Sequence, residues 1–577
     1  MIYFRALAVD YDGTLALHGA VDEPTILALR RLGENGRQVI LVTGREMEEL
    51  RHVFPELTLF DRVVAENGGV LYDPVTGCER ALAGAPPLAL VQKLMALNVE
   101  PLSLGRTIVA TWQPNEPNVL AAIAELGLDH QIIFNKGAVM VLPAGVNKGT
   151  GLAAALTELE LSASNVVGAG DAENDLAFLT TCGCSGAVAN ALTSVKEACD
   201  LVLTKDHGEG VVELIEKMLR EDAEIVPPSR RGISLSGDVS DVPSCWLTPQ
   251  DSLLVVGGSG SGKSRFATLL VERMINRGFS VCVLDPEGEY GALEGTVAIG
   301  DEFQAGSIAE AVRLLARGVN VAFGTVAITL DARRQLFEHL VPQLVALKRA
   351  RARPHWLIVD EAHHYLPSSC EKTGRTLIKE GDGLVLATID PAWLPPKVVA
   401  AMDYIVAFGS TAVNLLSRCP GTTLPSMSSI PTPGPDQALL WSRAAPNEVR
   451  LIRVDAPRHR HERHRGKYAL GNVGDQHSFY FGWSPDGRVH RARNLAEFIA
   501  ESAQLPDDVW VRHLRAGDIA AWFLHVIRDE ELSRRAREVS NDQDLTSLES
   551  RKMIADAIRG RYAVSDEQGT ELVVDFH

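Results

Sequence analysis

The stretch that decides the fold is Gly257–Ser264, which reads Gly-Gly-Ser-Gly-Ser-Gly-Lys-Ser. It follows the apolar run Leu253–Val256 and precedes the helical pattern of Arg265–Arg273. Glycines let consecutive backbone N–H groups turn inward around a phosphate, because no Cβ blocks the approach. The N-terminus of the following helix adds a partial positive charge at the same place. A strand, a glycine-rich loop ending in Lys-Ser and a helix together form the P-loop pattern, which predicts a nucleotide site.

Each position of this loop has an expected role. The backbone N–H groups of the loop hold the phosphates of ATP. Lys263 reaches the β- and γ-phosphates, and the Ser264 hydroxyl ligates Mg²⁺. The residues expected to contact the nucleotide or its metal are Gly257, Gly258, Ser259, Gly260, Ser261, Gly262, Lys263 and Ser264.

A second apolar strand in the same region ends in carboxylates. His355–Val359 runs into Asp360-Glu361, which is the Walker B arrangement. We expect Asp360 to hold the Mg²⁺ shell and Glu361 to polarise the water that attacks ATP. Small-molecule kinases usually lack such a glutamate, so Glu361 favours hydrolysis. For the adjacent pair His363-His364, we expect contact with the nucleotide or packing against the sheet.

The N-terminal segment carries a second candidate site. Ala6–Val9 is a short buried-strand candidate that ends in Asp10-Tyr11-Asp12-Gly13-Thr14. Two carboxylates at i and i+2, on a strand that opens into a glycine turn, can converge on one cation. One can then be a nucleophile and the other a general acid and base. Because Asp-x-Asp-Gly is also a common turn, the interpretation depends on the rest of the segment.

Three further apolar strand candidates of this segment also end in polar residues beside glycine. The strands are Gln38–Val42, Val63–Ala65 and Asn165–Gly168. The residues that follow them are Thr43-Gly44-Arg45, Glu66-Asn67-Gly68-Gly69 and Gly170–Asp175. In addition, Lys148 precedes the helical run Leu152–Leu159. An open parallel sheet builds a site at its carboxyl edge in this way.

These motifs resemble the haloacid dehalogenase (HAD) superfamily, in its Cof-like, type IIB branch, over roughly residues 1–217. The four motifs occur in the family's order, and Glu66-Asn67-Gly68 is typical of that branch. Val188–Ala191 and Gly208–Val211 match as well. The resemblance implies a Rossmann-like α/β domain with a small α/β cap at about residues 73–143. A short cap encloses a small substrate best, so a small phosphorylated substrate is expected.

The resemblance also implies a role for each motif residue. Asp10 is implied to be the nucleophile that forms an aspartyl-phosphate, while Asp12 protonates the leaving group and then activates water. Thr43 and Lys148 bind and neutralise the transferred phosphoryl group. The implied Mg²⁺ ligands are Asp10, the backbone carbonyl of Asp12, Asp171 and Asp175. A metal is needed because several carboxylates crowd together and must still accept an anionic phosphoryl group.

Residues from about Leu253 to Phe408 resemble the HerA/FtsK-type additional-strand P-loop ATPases. The resemblance rests on Gly257–Ser264, Asp285–Tyr290 and Asp360–His364. It implies a homo-oligomer, with a hexameric ring as the expected form, and an arginine finger supplied by a neighbouring subunit. The candidates for that finger are Arg333, Arg334, Arg353 and Arg418.

One position departs from the pattern of these ATPases. Many of them follow the third strand with a Thr-Gln pair that senses the γ-phosphate, whereas this chain has Thr388-Ile389-Asp390. Either Thr388 senses the γ-phosphate alone, or the coupling to that phosphate is altered.

The length and net charge of the chain limit the number of domains and the kinds of partner that can be expected. The 577 residues favour about three or four domains. The net charge of −18 argues against a surface that coats nucleic acid, although a local basic channel is compatible with it.

The sequence favours a reduced, cytoplasmic protein. Its eight cysteines are scattered, and Cys182 and Cys184 are too close in sequence for a usual zinc pair. Arg5 and Asp10 interrupt the apolar run at the N-terminus, which argues against a signal peptide. No apolar run approaches about 20 residues, so no membrane span is expected.

The C-terminal segment opens with a dense basic stretch, Arg458–Tyr468. Such a stretch either contacts a phosphate backbone or an acidic partner, or forms a solvated, salt-bridged surface. A strand pattern at Ser478–Trp483 comes next. Helical patterns follow at Leu495–Ala503, Val509–Leu514, Asp518–Arg528 and Ser550–Arg559. No catalytic constellation is visible, so a small regulatory or assembly module is expected.

Together these patterns predict an α/β HAD domain at residues 1–220, a linker at 221–250, a parallel-sheet P-loop domain at 251–455 and an α-rich module at 456–577. The favoured function is a bifunctional enzyme that uses Mg²⁺ and ATP. The first domain hydrolyses a small phosphomonoester. The P-loop domain binds and hydrolyses ATP, and it regulates or assembles the phosphatase.

Three alternatives stay open at this point. The first is a ring-forming nucleic-acid translocase whose HAD domain removes phosphates from DNA ends, which the acidic balance disfavours. The second is a phosphatase–kinase fusion, which Glu361 disfavours. The third is a sensor whose two sites bind ligands without catalysis, which the intact motifs disfavour.

Overall fold

The computed structural model describes most of the chain. The described residues are 2–135, 137–237, 245–258, 260–301, 303–369, 382–426, 430–459, 468–469, 473, 477–483, 489–527 and 529–562. Ser259 of the glycine-rich loop, Cys370 and residues 460–467 of the basic stretch lie outside these ranges. The α/β fold class predicted from the sequence is confirmed, and the C-terminal part is helical.

The N-terminal part is an α/β domain with a smaller sheet inserted in it. Its strands are β1 (Ala6–Asp10), β2 (Gln38–Val42), β3 (Arg62–Ala65), β4 (Val70–Asp73), β5 (Cys78–Ala81), β6 (Ser103–Leu104), β7 (Val109–Trp112), β8 (His130–Asn135), β9 (Ala138–Pro143), β10 (Val166–Gly170), β11 (Cys184–Ala187) and β12 (Leu201–Val202). Its helices are α1 (Glu23–Glu34), α2 (Met47–Val53), α3 (Leu88–Ala96), α4 (Glu116–Glu125), α5 (Lys148–Glu158), α6 (Leu176–Leu179), α7 (Thr193–Ala198) and α8 (His207–Glu221).

The main sheet has the order β12-β11-β10-β1-β2-β3-β4-β5 and is parallel except for β4 and β5. β1 lies inside the sheet and is buried along its whole length, as expected for an apolar strand with both faces covered. The carboxyl ends of β1, β2, β3 and β10 meet at one edge. The polar residues that the sequence places after these strands therefore converge there.

The inserted sheet forms a cap with the order β6-β7-β9-β8 and antiparallel pairing. Helices α3 and α4 cover one of its faces. The shared core contains Leu90, Leu94, Val119, Val139 and Val141. The sequence placed the start of the cap at about residue 73. In the structure β5 pairs with β4 and extends the main sheet to Ala81, and the first helix of the cap begins at Leu88.

The segment between the two α/β domains packs on both of them. Ile225 and Val226 belong to the core of the N-terminal domain, whereas Ile233 and Leu247 belong to the core of the next one. Its elements are α9 (Pro228–Arg231), β13 (Ile233–Ser234) and β14 (Trp246–Leu247), and the two strands pair with each other.

The second α/β domain contains the glycine-rich loop. Its strands are β15 (Ser252–Gly257), β16 (Val281–Asp285), β17 (Thr296–Ile299), β18 (Asn320–Gly324), β19 (Trp356–Val359), β20 (Leu384–Thr388), β21 (Tyr404–Phe408), β22 (Gln437–Ser442) and β23 (Ala445–Arg453). Its helices are α10 (Lys263–Asn276), α11 (Ile308–Ala316), α12 (Leu330–Arg351), α13 (Pro396–Ala401) and α14 (Ala412–Ser417).

The sheet of this domain has the order β17-β18-β16-β19-β20-β15-β21-β22-β23. β20 lies between β15, which leads into the glycine-rich loop, and β19, which leads into Asp360-Glu361. This is the additional-strand arrangement that the resemblance implied. The sequence does not predict β23, which pairs antiparallel with β22. β23 is an edge strand in which one of nine residues is buried, so its sequence lacks a buried alternation.

The C-terminal part has an aromatic core. Its elements are β24 (Phe479–Trp483), β25 (Val489–Ala492), α15 (Leu495–Gln504), α16 (Asp507–Ala516), α17 (Asp518–His525), α18 (Glu530–Asn541) and α19 (Ser547–Arg559). Phe498 stacks on Trp522 with their ring centroids 5.3 Å apart, and Trp510 donates to Ser550 at 2.9 Å. Among the described residues, no helix has both the length and the apolar character that crossing a bilayer requires.

Candidate functional site

A cluster of buried charges lies at the carboxyl edge of the first sheet. The ammonium of Lys148 donates to Asp10 Oδ1 and to Asp175 Oδ1, at 2.5 Å in both cases. Asp171 joins this cluster and accepts from the Thr14 hydroxyl at 3.0 Å. Each of these charged side chains is at least 96% buried, since the exposed fraction is 4% or less. The structure therefore brings together four of the predicted side chains, which come from three separate stretches of sequence.

The fold fixes each member of the cluster. Asp10 is the last residue of β1, Lys148 is the first residue of α5, and Asp171 follows β10. Asp175 accepts from the main-chain N–H groups of Asp171 and Ala172, at 2.9 Å each, and so closes the turn after β10. Asn147 caps the N-terminus of α5 by accepting from the two amides that follow Lys148, which anchors the start of that helix.

The electrostatics of this cluster are dominated by carboxylates. Burial raises the pKa of Asp10 above its ordinary value, and the neighbouring Asp175 and Asp171 raise it further, while Lys148 opposes them. Burial alone would lower the pKa of Lys148, but Asp10 and Asp175 raise it above its ordinary value. Lys148 is thus a fixed cation, and one cation cannot compensate three buried carboxylates.

The donor set fits a divalent cation. Asp10, Asp171 and Asp175 each offer a carboxylate oxygen, and these oxygens lie within 4.8 Å of one another. Mg²⁺ binds through a small number of carboxylates and retains several waters. The side chain of Asp12 does not belong to this group, which agrees with its implied contribution through the backbone carbonyl.

Asp12 lies beside the cluster and is held by an arginine. Arg45 donates from Nε and from a terminal nitrogen to the two carboxylate oxygens of Asp12, at 2.7 Å each. Such a two-point contact fixes the orientation of the carboxylate. Thr43 follows β2, is fully buried, and accepts from the Arg45 amide at 3.1 Å. Arg45 stands in the quoted Thr-Gly-Arg motif, but sequence reasoning assigned it no role.

Other residues that sequence reasoning did not place in the site hold its loop. The carbonyl of Gly13, in the Asp10–Thr14 stretch, accepts from Asn190 at 2.8 Å and from His207 Nδ1 at 2.9 Å. Asn190 also accepts from the His207 amide at 2.8 Å. Asn190 had a signal in the sequence, since it lies in the motif match at 188–191. His207 had none.

The Glu66-Asn67-Gly68 motif joins the cap to the site. Glu66 accepts from the Arg106 and Thr107 amides of the cap, at 2.9 and 2.8 Å. Gly68 has φ of +101°, and a Cβ there would lie 1.9 Å from the Asn147 carbonyl. Only glycine therefore allows this turn to approach the residue that caps the Lys148 helix.

The glycine-rich loop has the backbone of a phosphate cradle. Gly260 and Gly262 adopt φ of +74° and +112°, which other residues rarely adopt. α10 begins directly after Gly262 with Lys263, so the helix N-terminus lies behind the loop. Lys263 is buried, and its ammonium contacts the Gly258 carbonyl at 3.2 Å. Of the residues predicted to contact ATP, Ser259 is the one outside the described ranges.

The Walker B strand is tied to the Asp285–Tyr290 motif. The Tyr290 hydroxyl donates to Asp360 Oδ2 at 3.0 Å, and the Glu361 amide donates to Asp360 Oδ1 at 2.9 Å. Asp285 accepts from the amides of Gly288 and Tyr290, at 2.7 and 2.8 Å, and so shapes the turn that presents the phenol. The resemblance to the HerA/FtsK-type ATPases rests partly on this motif, but the sequence gave no function for Tyr290.

Glu361 lies in a small network with a histidine and the end of β20. Glu361 has a left-handed backbone with φ of +45°. His363 Nδ1 lies 3.6 Å from a carboxylate oxygen of Glu361 and 3.2 Å from the Thr388 hydroxyl. The His363 ring packs against Trp393 with their centroids 4.8 Å apart. Thr388 and Glu361 thus both lie next to His363 at the carboxyl edge, and whether Thr388 senses the γ-phosphate stays a prediction.

The four candidates for an arginine finger occupy different environments. Arg353 donates to the Leu161 carbonyl of the first domain at 2.7 Å, so it is committed to the interface between the two α/β domains. Arg333 donates to the main-chain carbonyls of Thr325 and Pro286 within its own domain. Two of the candidates are about half exposed and form ion pairs within the same domain, Arg334 with Asp331 and Arg418 with Asp390.

The first site, on a Rossmann-like sheet beneath a small α/β cap, defines a phosphoryl-transferring hydrolase of the α/β class. Comparison with known families gives the same result. A family model described as haloacid dehalogenase-like hydrolase matches residues 7–78 and 121–215. A second model, described as the central domain of helicase HerA, matches residues 250–387, and neither model extends beyond residue 387.

Relatives of the first domain confirm the family. The phosphoglycolate phosphatase of Methanothermobacter thermautotrophicus is 32% identical over 228 residues, which cover 37% of this chain and 99% of that protein. The phosphoglycolate phosphatase of Aeropyrum pernix is 33% identical over 227 residues, which cover 37% of this chain and 93% of that protein. Among solved structures, a haloacid dehalogenase-like hydrolase from Bacteroides thetaiotaomicron is similar, with 18% identity, a TM-score of 0.33, and coverage of 37% of this chain and 99% of that one.

The chain therefore belongs to the haloacid dehalogenase-like hydrolases through its N-terminal domain, and it carries a HerA-type central domain after it. The two resemblances seen in the sequence are confirmed. The region after residue 387 remains unassigned to a family.

Proposed function

We propose that the first domain is a Mg²⁺-dependent phosphatase of small phosphomonoesters, with 2-phosphoglycolate as the first substrate to test. The observation that carries this proposal is the buried cluster of Asp10, Asp171, Asp175 and Lys148 beneath the cap. The names of the relatives support the substrate, since the first ones are phosphoglycolate phosphatases.

In the proposed reaction, the residues at the carboxyl edge of the first sheet act one after another. An Asp10 oxygen attacks phosphorus, and the bond from phosphorus to the leaving oxygen breaks while Asp12 gives that oxygen a proton. Asp12 then takes a proton from water, whose oxygen attacks phosphorus and releases Asp10 and inorganic phosphate. Lys148 and the Thr43 hydroxyl hold the phosphoryl oxygens. When bound to Asp10, Asp171, Asp175 and the Asp12 carbonyl, Mg²⁺ supplies the positive charge that lets a phosphate anion approach.

The cap and Arg45 prepare this reaction. Glu66 binds two cap amides, which holds the cap above the edge where Asp10 lies. Arg45 keeps both oxygens of Asp12 in a defined plane, so the carboxylate that takes the proton from water does not rotate freely. A small cap suits a small substrate such as phosphoglycolate.

The second domain is proposed to bind ATP through the glycine-rich loop and to hydrolyse it. Lys263 contacts the β- and γ-phosphates, Ser264 and Asp360 hold the Mg²⁺ shell, and Glu361 positions the attacking water. The contact between Glu361, His363 and Thr388 supports a role for Thr388 near the γ-phosphate. ATP binding is proposed to regulate the phosphatase or to assemble it into an oligomer, for which a hexameric ring is the expected form.

Both activities can be tested with one set of proteins. Phosphate release is measured from phosphoglycolate, sugar phosphates and 5′- or 3′-phosphorylated DNA ends, with Mg²⁺ and with chelator. Wild type, Asp10→Asn and Lys263→Ala are compared, each with and without ATP. We expect Asp10→Asn to abolish release from a small phosphomonoester. We expect Lys263→Ala to abolish ATP hydrolysis and the response of that release to ATP, but not the release without ATP. Release that survives in Asp10→Asn contradicts the proposed phosphatase site.

A nucleic-acid enzyme is the second candidate, because the matching model of the P-loop domain is described as a helicase domain. In that case the ring moves or grips DNA, and the first domain processes phosphorylated ends. The net charge of −18 counts against a large DNA-binding surface. DNA that stimulates ATP hydrolysis, together with release from DNA ends alone, would favour this candidate. Sedimentation with and without ATP tests the oligomer in either case.

A further inference from the structure

The two α/β domains meet at the edges opposite their sites. Arg5, which precedes β1, donates to the Arg349 carbonyl at 2.5 Å. His355, which precedes β19, lies 3.0 Å from Asn165, which precedes β10. Strands β1, β10 and β19 therefore begin at this interface, and their carboxyl ends point away from it. The phosphatase site and the nucleotide site lie at opposite ends of the pair, so no product can pass directly between them.

One helix connects the nucleotide site to this interface. α12 has 22 residues, which corresponds to a length of about 33 Å. In its first turns, Arg333 donates to the carbonyl of Pro286, in the turn that presents Tyr290 to Asp360, and contacts His364 Nδ1 at 3.2 Å. These two partners belong to the turns that follow β16 and β19. The start of α12 is thus attached to both turns that carry the nucleotide-site carboxylates.

The end of α12 is attached to the phosphatase domain. The Arg349 carbonyl accepts from Arg5, and Arg351 pairs with Glu160 at 3.0 Å. Just beyond the helix, Arg353 donates to the Leu161 carbonyl at 2.7 Å. The contact of His355 with Asn165 has a defined polarity: His355 Nδ1 accepts from the Ser280 amide, so Nε2 carries the proton and donates to Asn165.

Each element of the first domain that these contacts reach carries a phosphatase residue at its other end. Arg5 precedes β1, which ends at Asp10. Glu160 and Leu161 follow α5, which begins at Lys148. Asn165 precedes β10, which leads to Asp171. These elements are packed in one core, so a shift at one end moves the other.

The middle of α12 is packed as well. Pro342 lies within the helix and removes one main-chain hydrogen bond there. The buried residues on both sides of it belong to the sheet core and keep the two halves together: Leu336, Phe337, Leu340, Val341 and Leu344.

We propose that α12 couples the two sites, a proposal that rests on the function proposed for each of them. Nucleotide bound at the P-loop domain changes the catalytic efficiency of the phosphatase. The change passes through the contacts of residues 349–355 with β1, α5 and β10. The effector is a nucleoside triphosphate with Mg²⁺. The coupling is reciprocal in binding, so a phosphate analogue at Asp10 alters nucleotide affinity by the same factor.

The experiment uses the full chain and a non-hydrolysable ATP analogue. Binding of the analogue is followed with a fluorescent nucleotide, and hydrogen–deuterium exchange is followed in residues 3–10 and 158–170. kcat/KM for phosphoglycolate is measured in the same samples. We expect the analogue to change kcat/KM by about fivefold or more, and to change exchange in both segments. Exchange does not require a known substrate, so the coupling remains measurable if phosphoglycolate is not hydrolysed.

Charge reversals separate coupling from folding. Glu160 and Arg351 are each more than one third exposed, so Glu160→Arg and Arg351→Glu are compatible with the fold. Each single variant should weaken the effect of the analogue on kcat/KM, and the double variant should restore it. The matched control is Arg313→Glu on α11, whose ion pair is with Glu310 of its own helix.

The outcomes are distinct. The coupling is supported if the effect of the analogue on kcat/KM returns in the double variant and is the same in Arg313→Glu as in wild type. The proposed coupling is wrong if wild type binds the analogue and hydrolyses phosphoglycolate, but the analogue alters neither hydrogen–deuterium exchange nor kcat/KM. If exchange responds as expected while phosphoglycolate is not hydrolysed, the coupling holds and the proposed substrate fails.

Discussion

The phosphatase site and the nucleotide site differ in how their charged groups are paired. In the first, Lys148 lies 2.5 Å from both Asp10 and Asp175, so the charges face one another directly. In the second, the Lys263 ammonium contacts a main-chain carbonyl, and Asp360 accepts from the Tyr290 phenol. In the first site the lysine lies directly between two carboxylates, whereas in the second Lys263 and Asp360 each make a hydrogen bond with a neutral group.

This difference indicates how each site responds to its ligand. Three buried carboxylates around one lysine favour a divalent cation before any substrate arrives. A lysine on a carbonyl and a carboxylate on a phenol can exchange those partners for a phosphate and a metal at a small cost, because the contacts they leave are not ion pairs. The first site is therefore preorganised, and the second depends more on its nucleotide.

The largest difference between the two sites is expected when the nucleophile of the phosphatase site is removed. Asp10→Asn keeps the shape of the side chain but removes its negative charge. We expect phosphomonoester hydrolysis to fall by about 10⁴-fold or more, as when other enzymes lose a nucleophile. ATP hydrolysis should stay within a factor of about two, because the interface separates the sites. Steady-state kinetics of both activities check this. A residual phosphatase rate near that of wild type would place the chemistry elsewhere.

Arg45→Met tests whether preorganisation at the first site extends to Asp12. The two-point contact with Arg45 fixes both oxygens of Asp12, and methionine keeps the length of the side chain without the donors. We expect kcat to fall by about 10²-fold, within the range that general acid–base catalysis supplies. Arg30→Met is the control, since Arg30 forms an exposed ion pair with Glu56. Equal rates in both variants would show that Arg45 does not position the acid.

Most of the fold followed from local patterns. The apolar strands before Asp10, Thr43 and Asp171 were visible because a parallel sheet buried on both faces gives continuous apolar runs. Helix α18 was not predicted, because its sequence is highly charged. Its buried face is a narrow stripe that includes Leu532, Ala536 and Val539. The edge strand β23 was missed for a related reason, since one of its nine residues is buried.

The residues of the candidate sites also differ in whether local sequence patterns reveal them. Motif residues such as Asp10 and Lys148 could be identified because each has a chemical role that restricts its residue type. Tyr290 and His355 could not, since their roles depend on a partner far away in the chain: Tyr290 meets Asp360, and His355 meets Asn165. A single sequence contains no signal for such pairs, because the fold alone brings them together.

Tyr290→Phe tests the nucleotide site by removing one donor. Phenylalanine keeps the ring but leaves an oxygen of the buried Asp360 without this hydrogen bond. A hydrogen bond to a charged group contributes about 1.5–3 kcal/mol, so we expect the rate of ATP hydrolysis to fall by about tenfold. Phosphoglycolate hydrolysis without ATP should not change. Tyr480→Phe, at a half-exposed tyrosine of the C-terminal part, is the control. A faster ATPase in Tyr290→Phe would instead mean that the phenol restrains Asp360 and must leave it.

The smallest expected effect concerns the interface itself. The Lys348 ammonium is buried and donates to the carbonyls of Pro249 and His355, at 3.4 and 2.9 Å. Burial lowers the pKa of Lys348 to about 8, from an ordinary value of 10.5. Between these two pH values the unfolded chain binds a proton that the folded chain does not, so this residue makes the folded state more stable as pH rises.

The slope is at most about 1.4 kcal/mol per pH unit. Lys348→Met lacks this contribution, so the free energy of unfolding of wild type, measured relative to the variant, should increase between pH 8 and pH 9.5. Denaturant titrations at both pH values check this, and Lys397→Met, on α13, is the matched control. If wild type and Lys348→Met show the same pH dependence, Lys348 keeps its proton throughout this range. Its carbonyl partners then stabilise the ammonium more than burial destabilises it.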